Sequence, residues 1–168
     1  MKLWYTIYTK AWQEDLAAEH LRRQEFEIYL PRIKQAYRYR GRWRDRIEPL
    51  FPRYLFIRLD LGTDNVAPIR STRGVTKLVS FNGLPATVPD QLIDALVQTA
   101  DPDTELLHPE EALFKPGTAV TIVDGPLAGL EAIFKAHDGE ARSIILLELL
   151  GKTHQLSIDR NQLWPTTH

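Results

Sequence analysis

Seven basic side chains fall between Arg32 and Arg46 (Arg32, Lys34, Arg38, Arg40, Arg42, Arg44 and Arg46), against a single acid, Asp45. Like charges at this density repel one another unless a polyanion neutralises them. Tyr37, Tyr39 and Trp43 interleave with the cations, which suits guanidinium contacts to phosphate beside ring packing on sugars or bases. A charged arm that is merely solvated is the alternative. A second set lies within Trp12–Glu25, where His20, Arg23 and Gln24 recur at helical i, i+3, i+4 spacing and share one outward arc. Together they supply donors and acceptors for base edges and for phosphate. Leu16 falls in the same arc as an apolar intruder.

A third set is apolar. In the alternating segment Tyr54–Leu59, Leu55, Ile57 and Leu59 share one face, while Tyr54, Phe56 and Arg58 share the other. Either both faces lie buried between two layers, or Tyr54 and Phe56 form an aromatic docking patch continuous with Phe51 and Pro52. Catalytic chemistry has no comparable constellation. There is no serine in a nucleophile elbow, no phosphate-binding glycine loop and no HExxH. Cysteine is absent, and His20, His108, His137, His154 and His168 lack metal-ligand spacing. Glu110 and Glu111 sit in an acidic linker where they should be solvated. No enzyme activity, metal or cofactor is therefore expected.

The elements that must position these side chains can be read from periodicity. Leu3–Tyr8 and Phe26–Leu30 read as strands, and Trp12–Glu25 as a helix with Ala17, Ala18 and Leu21 on its buried arc. The arginine-rich stretch reads as an extended hairpin turning near Arg40-Gly41. Val75–Phe81 reads as one strand before an Asn82-Gly83 turn, and Pro89–Thr99 as a helix with a Leu92, Ile93, Leu96, Val97 stripe. The order β-α-β-β-β-α predicts an α+β fold with helices on an antiparallel sheet. Residues 1–100 form this domain and 101–116 an acidic, proline-bearing linker. Residues 117–168 form a second module with alternation at Val120 and Ile122, a Gly125-Pro126 turn, and an apolar run at Ile144–Leu150 that fits strand or helix.

Of the 168 residues, 43% are hydrophobic and 26% charged, as in soluble globular proteins. No apolar run approaches the roughly 18 residues that span a bilayer. The N-terminus lacks signal-peptide features, so a cytoplasmic protein without membrane attachment is expected. The net charge of −1 hides a division. Residues 1–100 carry 16 Lys/Arg and 11 Asp/Glu, a net of +5, and residues 101–168 carry 5 and 11, a net of −6. A basic, polyanion-facing half and an acidic half are expected.

WYTIYTK, EPLFPRYLFIRLD and STRGVTKLVSF resemble the N-terminal (NGN) domain of NusG-type transcription elongation factors, and PGTAVTIVDGPLAGLEAIF resembles the KOW sequence of the same family. Within the family the likeness is greatest to the RfaH branch of operon-specific antiterminators, through Lys10, His20, Arg23, Gln24, Thr72-Arg73-Gly74 and DGEARSIILLELL. The resemblance implies that Phe51, Pro52, Tyr54, Phe56 and Phe81 bind the clamp helices of the largest RNA polymerase subunit. It further implies that Lys10, His20, Arg23, Gln24, Thr72, Arg73 and Gly74 contact an element in the non-template DNA strand, with Arg40, Arg42 and Arg44 as non-specific contacts. Suppression of pausing and termination would follow. A general NusG-like factor without sequence preference and a ribosome-associated KOW protein that binds RNA are the alternatives.

The same resemblance implies that the second module rests as a helical hairpin docked over the aromatic patch, held by a Glu48–Arg142 ion pair. A five-stranded β-barrel is the alternative. In the hairpin, Pro126 would start one helix and Asp138 would cap another that ends near Gly151. A monomer is expected, with a small-subunit ribosomal protein as a further candidate partner of this module. Two positions depart from the RfaH pattern: Leu16, where a basic residue is expected, and Asn65-Val66-Ala67, in place of a His-Thr-Thr run that helps close the clamp.

Overall fold

Alternation of apolar side chains along β1 (Leu3–Thr9) and β5 (Tyr54–Leu59) makes these two strands the centre of the molecule, each with one side chain in every pair aimed at an opposite layer. They pair antiparallel with Tyr5 opposite Ile57 and Tyr8 opposite Tyr54. The structure, a computed structural model, describes residues 1–108 and 128–163. β2 (Glu27–Tyr29) lies beyond β5, and β6 (Val75–Leu78) and β9 (Thr87–Val88) share the other edge of β1. α1 (Glu14–Arg23) covers one face. Its Ala17, Ala18 and Leu21 pack with Ile7, Leu55, Ile57 and Leu59 in a core cluster of fully buried side chains. The α+β domain expected over 1–100 has this sheet as its frame.

On the opposite face lies a second cluster. Phe51 and Phe56 meet Leu92, Ile93 and Leu96 of α2 (Asp90–Thr99), and also Ile133 and Phe134 of α3 (Ala128–Lys135) and Leu146 and Leu150 of α4 (Gly139–Leu163). The two C-terminal helices therefore complete a core that begins in the N-terminal sheet. A separate ribbon is formed by β3 (Arg32–Tyr39) and β4 (Arg42–Pro49). Arg40 and Gly41 both have positive φ, 51° and 77°, the turn geometry that matches the twist of a two-residue hairpin.

Several elements differ from their sequence reading. α1 starts at Glu14 and not at Trp12, because Trp12 has φ 64°, outside the helical region. The strand expected over Val75–Phe81 is divided: Val79 donates its N–H to the Thr6 carbonyl, and β7 (Ser80–Phe81) turns through Asn82-Gly83 into β8 (Leu84–Pro85). Val97 is 54% exposed, so the stripe of α2 is narrower than read. Within the segment read as linker, β10 (Leu106–Leu107) pairs parallel with β3, and Leu107 is fully buried beside Ile33.

The apolar run Ile144–Leu150 is helical. Asp138 stands before α4 as expected, its Oδ1 accepting the Glu140 N–H at 3.1 Å. The helix does not end near Gly151 but continues to Leu163. A glycine inside a helix costs about 1 kcal/mol relative to alanine. Here the Phe81 ring packs 3.8 Å from where a Cβ would stand, and Leu150 is fully buried one residue earlier. The Val120/Ile122 alternation, the Gly125-Pro126 turn, and the linker beyond residue 108 lie outside the described residues.

Candidate functional site

Chain reversal at Phe51–Arg53 creates the aromatic patch. Tyr54 donates its N–H to the Phe51 carbonyl at 2.9 Å, and Arg53 takes φ 73°. This fold-back sets the Phe51 and Phe56 rings edge to face at 5.9 Å and 80°. Tyr29 stacks on Phe56 from β2 at 6.3 Å, and Tyr54 tilts against Tyr8 at 5.1 Å. Phe51 and Phe56 are fully buried, while Pro52, Tyr54 and Phe81 are half-buried. What buries them, together with α2, is α3 and α4, through Ile133, Phe134, Leu146 and Leu150. Both faces of β5 are thus covered, the aliphatic one by α1 and the aromatic one by the C-terminal helices.

Along the edge of this apolar seam runs a polar one. Arg142 is fully buried, so its guanidinium must find every partner locally. Its Nε donates to the Leu50 carbonyl at 2.7 Å, Nη1 to the carbonyls of Ala136 and His137, and Nη2 to Glu48 Oε1 at 3.2 Å. Burial pushes the guanidinium down from its ordinary pKa, and the hydrogen bond it donates to Glu48 opposes that shift. The other Glu48 oxygen faces Arg46 at 3.4 Å. The Gln35 amide, oriented to donate, reaches Glu48 Oε1 at 2.9 Å. Ser143 Oγ donates to the Pro52 carbonyl at 3.0 Å.

Glu48 and Arg142 are therefore brought together as paired in the sequence reading. Leu50, Gln35 and Ser143 were not foreseen. The only available signal was an arginine at the head of an apolar run, which demands partners without saying which. Gly139 was missed as well. A Cβ there would stand 2.7 Å from Pro52 Cγ, so α4 can begin this close to the patch only with glycine.

The second group gathers where α1 meets the turn after Ile69. Gly74 has φ 84°, and a Cβ on it would lie 2.9 Å from the Gln13 carbonyl and 3.0 Å from the Ala17 nitrogen. Its own carbonyl accepts the Lys10 N–H at 2.8 Å. Gln24 Nε2 donates to Thr72 Oγ1 at 2.9 Å, and that hydroxyl donates to the Pro68 carbonyl. Thr72 is buried and its hydroxyl ties the turn to the helix. Lys10, Arg23, Gln24 and Arg73 are exposed and His20 is half-buried. Arg23 is held by Glu19 one turn earlier at 2.6 Å. Leu16 is half-buried in the same arc, and Val66 of Asn65-Val66-Ala67 packs on the α1 cluster.

The hairpin carries its cations in the open. Arg40, Arg42 and Arg44 are exposed, and Trp43 is 70% exposed. Arg40 and Arg44 lie over the Tyr39 ring at 5.2 and 5.5 Å, and Arg46 lies over Tyr37 at 5.1 Å. The rings hold the guanidinium groups apart and partly offset their mutual repulsion. Among the described residues no group of His, Asp or Glu is arranged to hold a metal, and no helix is long and apolar enough to cross a membrane.

Fold and surface together define a binding module with one polycationic arm, one mixed polar arc on a helix and one covered aromatic patch. The chain belongs to the NusG family: the model described as "Transcription termination factor nusG" matches residues 2–97, more than half of the chain. It is similar to the transcription termination/antitermination proteins NusG of Helicobacter pylori J99, at 26% identity over 95% of this chain and 96% of that protein, and of Thermus thermophilus, at 24% over 95% and 96%. To the Streptomyces coelicolor NusG it is 23% identical over 95% of this chain, and it spans 62% of that relative's length. A solved structure, "Domain interaction in Thermotoga maritima NusG", is similar at 22% identity with a TM-score of 0.45, over 58% of this chain and 56% of that one.

Proposed function

We propose that this protein is an operon-specific transcription antitermination factor of the RfaH type, resting with its polymerase-binding patch covered. In this reading Phe51, Pro52, Tyr54, Phe56 and Phe81 receive the clamp helices of the largest RNA polymerase subunit once α3 and α4 leave. Lys10, His20, Arg23, Gln24 and the Thr72-Arg73-Gly74 turn read an element of the non-template strand, and Arg40, Arg42 and Arg44 hold DNA through phosphate. Pausing and termination are suppressed without bond chemistry by the protein itself. The observation that carries the reading is Arg142. A fully buried guanidinium bonded to Leu50 and Glu48 across the seam is a costly arrangement, and it supports a docking contact selected for control. The released module would fold as a KOW barrel and offer a surface to a small-subunit ribosomal protein.

A general NusG-like role without sequence preference is favoured by Leu16 and Asn65-Val66-Ala67, which depart from the RfaH pattern. The two readings separate in one experiment. RNA polymerase is paused on candidate leader sequences, and recruitment of the full chain is scored with crosslinking to the non-template strand. The proposal expects recruitment at few leaders, lost in Arg73→Ala and His20→Ala, whereas neutralising Arg40, Arg42 and Arg44 weakens all DNA equally and flattens the salt dependence. Recruitment at every paused complex, indifferent to strand sequence, would establish the general role instead.

A further inference from the structure

The cover over the aromatic patch leaves a gap at one edge. Between α4 and the N-terminal domain lies a cavity of about 450 Å³, within the size range of sites for small organic ligands. Its apolar wall comes from both sides of the seam: Tyr8, Trp12, Pro52 and Tyr54 from the N-terminal domain, Ile144 and Leu147 from α4. Trp12 is 95% exposed and held at φ 64°, and Ile144 is 52% exposed. A large indole from the N-terminal domain and a branched alkyl group from α4 thus stand largely in water at the edge of one cavity.

The charges around it are unequal. Arg53 is already committed, with Nε donating to the Thr9 carbonyl and the guanidinium 4.4 Å over the Tyr8 ring. Glu48 is matched by Arg142 and Arg46. That leaves Glu14 and Glu140, which line the cavity and have no cationic partner among the described residues. Glu14 is buried, and desolvation pushes its carboxyl above the ordinary range although backbone N–H groups of Glu14, Trp12 and Arg53 favour its charged form, so a cation nearby would add to that support. Aromatic faces beside unmatched carboxylates attract a positive charge twice over, through the ring quadrupole and through the anions.

We infer that this cavity binds a small organic cation with a flat apolar body, such as a protonated aromatic amine, and that the ligand holds the C-terminal helices in place. The second half of the inference rests on the proposed release of α3 and α4. Because the wall is shared, the site exists only while α4 is docked, and a ligand selective for that state adds to its weight by mass action. At a concentration of 100 times Kd the docked-to-released ratio rises about 100-fold. Binding at this site and recruitment to polymerase then oppose each other.

The test uses the full chain with tryptamine as probe, and indole and indole-3-acetate as neutral and anionic counterparts, measured by calorimetric titration. Hydrogen exchange of the α4 amides is followed in parallel. Saturable binding of tryptamine, at least tenfold weaker in Glu14→Gln/Glu140→Gln with α4 protection unchanged, and absent for indole-3-acetate, is the expected result. Equal affinity for all three probes would overturn the assignment, because the cavity would then select by shape alone. Protected α4 amides with no tryptamine binding would overturn it too, while leaving the docked resting state intact. Unprotected α4 amides in the free chain would remove the docked state itself, and the ligand site with it.

Discussion

One strand, β5, has two faces that are both covered, by different means. Leu55, Ile57 and Leu59 lie under α1, which begins five residues after β1 ends and is pinned by Gly74 against its backbone. Phe56, with Phe51 behind it, lies under α3 and α4, which return from the far end of the chain. The first cover is mainly aliphatic, through Ala17, Ala18 and Leu21, and has a short connection. The second is made of large aromatics, a buried arginine and hydrogen bonds to three backbone carbonyls. Apolar burial is non-directional and favours whatever comes near, whereas the polar seam has one correct register. Burial alone therefore does not fix permanence, and in the proposed reading the face with aromatic anchors is the one that exchanges one helical partner for another.

The sharpest way to break this comparison is to make matched holes in both faces. Phe56→Ala should cost about 3–5 kcal/mol, and the loss should fall chiefly on docking: α4 amides exchange freely while the N-terminal domain still melts cooperatively at a modestly lower temperature, since Phe56 also meets α2. Ile57→Ala, at about 2–5 kcal/mol, should instead lower the melting temperature of the whole N-terminal domain. If calorimetry shows both variants losing the same single transition, the two covers are one cooperative unit and the distinction fails.

Glu48→Ser comes next. It removes the one carboxylate on Arg142 but leaves the three carbonyl acceptors, so the loss should be about 1.5–3 kcal/mol, the range for a hydrogen bond to a charged group. Circular dichroism of the full chain should show less helix and proteolysis within α4 should quicken, with the N-terminal fragment remaining intact. On the permanent side, Gly74→Ala meets a strained φ and a backbone contact under 3 Å. It should cost about 1–3 kcal/mol and separate the Arg73 turn from α1, seen as chemical-shift changes at Lys10 and Gln24.

The smallest effect expected is from Glu14→Gln, under about 1 kcal/mol and stabilising. Because burial raises the folded-state pKa of Glu14, its protonated form is favoured by folding. That contribution is present at acid pH and lost as pH rises through the folded-state value. The variant should therefore melt above the parent at neutral pH, and the gap should close below the ordinary carboxylate range.

Local rules made the N-terminal domain legible. Alternation placed Leu55 and Ile57 on one face and Phe56 on the other, and the Arg40-Gly41 turn follows from the two residues that must take positive φ. The errors came where tertiary contacts override local ones. Ser80-Phe81 leaves β1 after the Val79–Thr6 bond and pairs with Leu84-Pro85, and Leu106-Leu107 forms a strand inside an acidic, proline-bearing stretch because Ile33 offers it a buried neighbour. α4 passes through Gly151 because Phe81 and the Leu150 contacts outweigh a weak helix former. At the site, Glu48 as the charged partner of Arg142 could be nominated through the family resemblance. Its carbonyl partners could not, since every residue has a carbonyl and only the fold chooses among them.

Strand β10 gives the second cover one further property. Leu107 is fixed to β3 by the parallel ladder, so if α3 and α4 leave the patch they remain tied to the base of the arginine hairpin. Their return is then a unimolecular event. Its equilibrium does not change when the protein is diluted, and it competes with any visitor to the patch as though the helices were present at a concentration on the order of millimolar. A partner in the cell, present at far lower concentration, must bind the aromatic patch correspondingly more tightly than the helices do, or be delivered to it already tethered. In the proposed reading, DNA held on the neighbouring hairpin and α1 arc would provide that tether.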